Sequence, residues 1–378
     1  MPLRKLLLSL GIILALSGCS THQSLGDIMR FKKPVKLDTS LSSPEGYPVI
    51  MAQGYNAYRD KNGNLMGGFF SNVTMQGWDV ANGTAGGEME DYPHHVHLRW
   101  LSVAENQFYE LDADLPAEKI RQIYEEGFRA HDAETYDPST VNHVKIGDYK
   151  PLNGICFLMA PGGGVQVTMI GGEGREIGYY KAKKTDMPWH KFHNVTADRI
   201  KPGDRETYID HLTTEEFIDN PVAYDQIKNH KIPYGLWDEV YRLRYPWHVE
   251  IVNPIAHKQH YIEYVNTEVF LVWEDQIAQD KAKLDRPVPA YMGIYFTNSS
   301  GVRLVGLLKF DVLKTPELFK KFFKDSHEHA QLEIKVSDDL QHVEVKLKDS
   351  HHSVIVPHRI WKVKPVAGNK GWGFDTRG

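Results

Sequence analysis

Cysteine is scarce, with two in 378 residues. That count excludes a disulfide-stapled scaffold and a cysteine-ligated zinc finger. Positive charge is not in excess. Forty-four basic residues stand against 49 acidic ones, a net charge of −5, which excludes the basic stripe of a dedicated nucleic-acid binder. The apolar run at residues 6–16 is eleven residues long, short of the roughly 20 that a spanning helix needs. Catalytic signatures are missing too. There is no HExxH, no GxSxG, no SxxK, no P-loop and no strand–GxGxxG–helix unit. The sequence therefore assigns no catalytic residue, no cofactor and no metal, and a non-enzymatic protein is expected. What is present is an ordinary globular composition, 41% hydrophobic and 25% charged. Aromatics at 11% supply large core side chains. The length predicts two domains.

The first residues carry an address. Arg4 and Lys5 precede the apolar run, and Leu16-Ser17-Gly18-Cys19 follows it. A basic start, a short apolar core and small residues at the end fit a signal peptide over 1–18. The last four of these residues resemble the lipobox of bacterial lipoproteins. That resemblance implies cleavage before Cys19 and acylation of its thiol and its freed amine. One acyl chain binds a membrane only marginally, at roughly 0.8 kcal/mol per buried methylene, whereas two or three hold stably. Ser20 stands where an aspartate would retain a lipoprotein at the inner membrane. The expected location is the outer membrane, lipid-anchored and facing the periplasm. Cys156 is then the remaining thiol, and its apolar setting, Ile155-Cys156-Phe157-Leu158-Met159, predicts a buried core residue. Residues 19–44, rich in Ser, Thr, Lys, Pro and Asp, read as the lipidated cysteine and a flexible tether.

The body reads as α+β, with two related β-rich domains, each β-β-β-β-α-β-β and mostly antiparallel, joined by a helical segment. The expected boundaries are 45–185, 186–244 and 245–378, the last including a tail. In the first domain, strands at 47–58 and 67–80 flank a turn at Asn62-Gly63, a strong hairpin signal. The glycine-rich stretch 82–87 is expected as a loop, before strands at 95–102 and 107–111. Pro116 opens a helix whose Ile120, Ile123, Tyr124 and Phe128 fall at helical spacing. Strands at 155–159 and 165–170 follow, joined by Pro161-Gly162-Gly163-Gly164. The connector shows helix starts at Thr213 or Thr214 and at Pro221. The second domain repeats the order. Tyr47-Pro48 and Trp78 in one correspond to Tyr245-Pro246 and Trp273 in the other, and Pro116 corresponds to Pro316.

Several clusters carry potential chemistry. His95 and His97 share one face of a strand beside His94, the only arrangement that suggests metal ligation. No acidic third ligand stands at an obvious spacing, so a strand entry with exposed histidines is the expectation. His327, His329, His351 and His352 lie in polar stretches. Tryptophans on strands predict core. Trp189, outside the strands, is the candidate for an exposed interaction surface, because aromatics are enriched at interface hot spots.

The strand-closing Trp78, Pro93 leading into His97-Leu98-Arg99-Trp100-Leu101-Ser102, Glu105 and Tyr109, the Leu115-Pro116 helix start and Ala160-Pro161-Gly162-Gly163 form a recurring set. They resemble the Gram-negative lipoproteins called domain of unknown function 2931, over roughly residues 45–185. The resemblance implies no activity, cofactor or catalytic residue. It implies a link to immunity proteins, since some such lipoproteins look like partners of secreted antibacterial effectors. The expected function is protein binding in the periplasm, with neutralisation of a secreted effector as its narrower form and the membrane engaged through Cys19. The alternative is a structural envelope lipoprotein without a toxin partner, and a periplasmic hydrolase has no motif behind it.

Overall fold

The computed structural model describes residues 35–365, except 69–72, 75–76, 90, 130–148, 193–202, 253–255, 284, 299 and 327. The signal, Cys19 and the last thirteen residues lie outside that range. Along the first half run β1 (Val35–Ser43), β2 (Val49–Met51), β3 (Ala57–Arg59), β4 (Leu65–Gly68), β5 (Val73–Thr74), β6 (Gly77–Met89), β7 (His95–Ser102) and β8 (Gln107–Asp114). Helix α1 (Ala117–Glu126) is next. Then come β9 (Phe128–Arg129), β10 (Tyr149–Lys150), β11 (Gly154–Ala160), β12 (Gly164–Ile170), β13 (Gly174–Lys181) and β14 (Lys183–Thr185). The middle holds α2 (Arg205–Leu212), α3 (Glu215–Ile218) and α4 (Pro221–Lys228). The second half runs β15 (Trp247–Ile251), β16 (Ala256–Tyr264), β17 (Val269–Trp273), α5 (Ile277–Lys281), β18 (Pro289–Thr297), β19 (Arg303–Phe310), α6 (Lys314–Asp325), β20 (Ala330–Val336), β21 (Val343–Lys348), β22 (Ser353–Ile355) and β23 (His358–Pro365). The protein is α+β and β-rich.

Local chemistry explains many of these boundaries. Asp60 accepts from the backbone N–H of Asn62 and of Asn64, both at 2.8 Å, and turns β3 into β4. Caps start the middle helices: Asp204, Thr214 and Asn220 each accept an N–H of the first turn. Pro221 sits at the start of α4, where its missing N–H costs nothing.

Two expectations need correction. The glycine-rich stretch 82–87 is not a loop but the middle of β6, which pairs with β1 across two register shifts. The tether does not extend to residue 44. Residues 35–43 form β1, an interior strand that runs parallel to β11 and antiparallel to β6. Val35, Leu37 and Leu41 point into the core, while Ser40, Ser42 and Ser43 are buried beside them. The polar residues hid a period-two pattern.

Three principal sheets result. One has ten strands in the order β23-β19-β18-β16-β17-β13-β12-β11-β1-β6. Another holds β14-β8-β7-β2-β5 with β3 and β4 attached, and the third is β15-β20-β21-β22. Both halves show the same pairing order. In each, the opening strand lies parallel to a strand beyond the helix, β1 on β11 and β15 on β20. In each, a second path has the same form, β14-β8-β7-β2-β5 and β23-β19-β18-β16-β17. The ten-stranded sheet therefore takes strands from both halves and joins them where Gly174 pairs with Val269. A Cβ on Gly174 would stand 2.8 Å from the Thr267 carbonyl oxygen, so only glycine permits this approach. Buried Gln166 donates to Thr267 Oγ1 at 3.0 Å and to the Asn266 carbonyl, and Arg242 grips Glu176 at 2.7 Å. The halves thus meet through a polar seam, in which Gln166 Oε1 has no hydrogen-bond partner among the described residues.

Packing follows the alternation of side chains. Every residue of β11 is buried. Ile155, Phe157 and Met159 face the β7–β8 sheet with Val96, Leu98 and Trp100. Cys156 and Leu158 join Ile218, Ala223, Ile227 and Trp237 of the middle segment. Cys156 is 3% exposed, as its apolar run predicts, and burial pushes its thiol up to about 12. In the second half Phe319 of α6 packs with Trp247, Ile262, Leu308 and Leu332. Burying one such side chain contributes roughly 1.5–3 kcal/mol. Among the described residues no helix is long and apolar enough to cross a membrane.

Candidate functional site

The family-like segments converge on one carboxylate. Glu105 lies in the turn between β7 and β8. Its Oε1 accepts from the Tyr109 hydroxyl at 2.8 Å. Its Oε2 accepts from Ser102 Oγ at 2.8 Å and from the Gly162 N–H at 3.0 Å. The Tyr234 hydroxyl reaches it from the middle segment. Gly162 and Gly163 both hold left-handed backbone, φ +82° and +78°, which closes the β11–β12 turn. A Cβ on Gly163 would stand 2.6 Å from the Tyr109 ring. Burial and then the Glu105 carboxylate push the Tyr109 phenol far above its ordinary value. Three hydrogen bonds take up both oxygens of this carboxylate. Its work is to bind two sheets and the middle segment together.

The outward face of β7 and β8 is different. Alternation brings His95, His97 and Arg99 of β7 beside Glu110, Asp112 and Asp114 of β8. His95 Nε2 meets Asp112 at 2.6 Å and Nδ1 meets Asp114 at 3.0 Å. Asp114 and Asp112 raise the His95 pKa against the opposing effect of burial. His97 Nε2 lies 2.7 Å from Glu110 and Arg99 donates to the same oxygen at 2.6 Å. Burial works to raise the Glu110 pKa, but His97 and Arg99 prevail and lower it. The Arg99 guanidinium lies over the Tyr55 ring at 4.4 Å. Solvent reaches this end of the sheet: the Asp112 and Asp114 side chains are 68% and 95% exposed. The ring nitrogens of His95 are both taken by carboxylates instead of converging with His97 on one point. Among the described residues no group of three or more His, Cys, Asp or Glu side chains is placed to hold a metal.

The other end of the same face is covered. Leu101 and Phe108 pack there under Tyr208, Ile209 and Leu212 of α2. Trp189 belongs to this cover. Its ring stacks on Phe192 at 5.2 Å and tilts against Tyr208 at 5.3 Å. Trp189 is half-buried, so only part of its ring is left for an interaction surface.

A second polar cluster was not visible in the sequence. β16 carries one extra residue at position 258, between the pairs His257–Phe296 and Gln259–Tyr295. The bulge turns His257 and His260 to the same face, where a regular strand would put them on opposite faces. Their rings meet at 3.1 Å. His260 lies 3.8 Å from Asp280, which pairs with Arg286 at 2.8 Å, and Arg286 donates to the Tyr264 hydroxyl at 3.3 Å. Burial lowers both histidines, His257 to about 3. Burial opposes ionisation of Asp280, but His260 and Arg286 outweigh it and pull the carboxyl to about 2. His248 and His329 form a neighbouring pair at 3.3 Å, with Glu250 between His248 and Lys281. Spacing alone offers no signal for this cluster, because a bulge is defined by the partner strand. His351 and His352 sit with Glu328 and Asp349, and His327 lies outside the described residues.

The sequence matches the family described as Protein of unknown function (DUF2931) over residues 20–235. The match takes in the whole Glu105 cluster and most of the middle segment, beyond the 45–185 that the motifs suggested. No curated protein and no solved structure matches the chain.

Proposed function

The chain belongs to the DUF2931 family, and from that premise we propose that it is an outer-membrane lipoprotein, anchored through Cys19, that acts by binding a protein partner in the periplasm. The observation that carries this reading is the uncovered end of the β7–β8 face. There Arg99, His95, His97 and three carboxylates are fixed by mutual bonds at 2.6–3.0 Å and stand on a rigid sheet. Groups already held in place lose little freedom on binding, which favours affinity. Arginine and tyrosine, here Arg99 over Tyr55, are the side chains that interfaces concentrate. The acyl anchor would raise local concentration at the membrane.

A secreted antibacterial effector is the partner class tested first. We read the two halves as copies of one β-β-β-β-α-β-β domain joined by the helical segment, supported by their common pairing order. The test is co-purification of residues 24–378 from periplasmic and secreted fractions, read by mass spectrometry. One stoichiometric secreted protein supports the effector form, and deletion of the gene should then sensitise cells to it. Recovery of envelope proteins alone turns the reading to a structural envelope role. Recovery of no partner overturns protein binding.

A further inference from the structure

A cavity of about 170 Å³ opens beside the junction of the two halves, away from the β7–β8 face. Arg129, Arg175, Glu126, Glu173, Trp273 and Tyr149 line it. Its charges alternate. Arg175 bonds Glu126 at 2.8 Å and Glu173 at 3.1 Å. Arg129 lies over the Trp273 ring at 4.4 Å and gives Nη1 to both oxygens of Asp275 at 2.9 Å. Among the described residues, the side-on edge of Arg129, Nε with Nη2, has no hydrogen-bond partner, and that edge matches a carboxylate in bidentate geometry.

We propose that this cavity binds a small zwitterion of the amino-acid type. Its carboxylate takes the free edge of Arg129, and its ammonium takes Glu126 with Glu173 behind it. The charge balance selects this class. Glu126, Glu173 and Asp275 face three cations, Arg129, Arg175 and the Lys283 ammonium near Glu173, so a bare anion unbalances the site. A bare cation leaves the Arg129 edge unpaired and meets both guanidiniums. A zwitterion satisfies both ends at once. The volume suits a ligand of amino-acid size, and Trp273 and Leu271 supply the apolar contact for a short side chain. This inference stands apart from the protein-binding reading and does not depend on it.

The test is calorimetric titration of the full chain in detergent with L-alanine, acetate and methylammonium as separate probes. L-alanine should bind saturably. Acetate and methylammonium should each bind at least about tenfold more weakly, since each makes one of the two charge-assisted contacts. Arg129→Gln and Glu126→Gln should each weaken L-alanine binding about tenfold or more, with unchanged circular dichroism and melting temperature. Arg129→Lys, which keeps the charge but loses the fork, should fall between. Three results would overturn the proposal: no saturable heat with millimolar L-alanine, acetate binding as tightly as L-alanine, or undiminished binding by folded Arg129→Gln.

Discussion

Glu105→Ala tests the latch between the sheets. The substitution removes the acceptor of three hydrogen bonds, from Tyr109, Ser102 and the Gly162 N–H, at 2.8, 2.8 and 3.0 Å. Ser102 and Tyr109 are 3% and 1% exposed, so little water can replace the carboxylate there. A buried donor left without a partner costs about 1–3 kcal/mol. Gly162 and Tyr234 lie nearer solvent and regain much of their loss. The expected total is about 2–4 kcal/mol. With a urea dependence of about 3 kcal/mol/M, the unfolding midpoint should fall by about 1 M. The assay is urea unfolding followed by tryptophan fluorescence, with Tyr109→Phe and the double variant completing a cycle. Direct contact predicts a coupling energy of about 0.5–3 kcal/mol. A midpoint shift within error, or strictly additive single changes, would refute the latch.

Gly163→Ala should destabilise by at least about 1–2 kcal/mol, because φ is +78° and the new Cβ would meet the Tyr109 ring; thermal unfolding reads it. Acid should weaken the fold through His257 and His260. Their folded pKa values lie below the unfolded 6.5, His257 at about 3, so the unfolded chain binds protons first. Stability is then full above about pH 6.5 and declines as pH falls toward 3; a His257→Gln, His260→Gln variant that still folds should show a shallower decline in urea midpoints over that window. Cys156, buried and with its thiol pushed up to about 12, should resist a disulfide reagent in native buffer and react fully in denaturant, monitored by released chromophore.

What was legible in the sequence was local. The Asn62-Gly63 turn, the helix after Pro116 and the hairpin around Pro161-Gly162-Gly163-Gly164 each depend on residues within a few positions. What was hidden depends on partners far along the chain. β1 looked like a tether because its alternating Val35, Leu37 and Leu41 are diluted by Ser, Thr, Asp and Lys, and its parallel partner β11 begins at Gly154. Strand pairing between the halves at Gly174 and Val269 has no local signature. Glu105 and Gly162 stand 57 residues apart, so their segments were recognisable as motifs while their meeting was not. The His257–His260 pair required knowledge of a bulge. Trp189 lies outside the strands, yet it helps cover one.

The exposed β7–β8 face is proposed to bind a protein. Its most direct test is to reverse charge at Asp112 and Asp114, whose side chains are 68% and 95% exposed, and to measure the affinity of the co-purified partner for the folded double variant. Asp112→Lys with Asp114→Lys should weaken binding by about tenfold or more, at unchanged melting temperature. Undiminished affinity in that folded variant would contradict it.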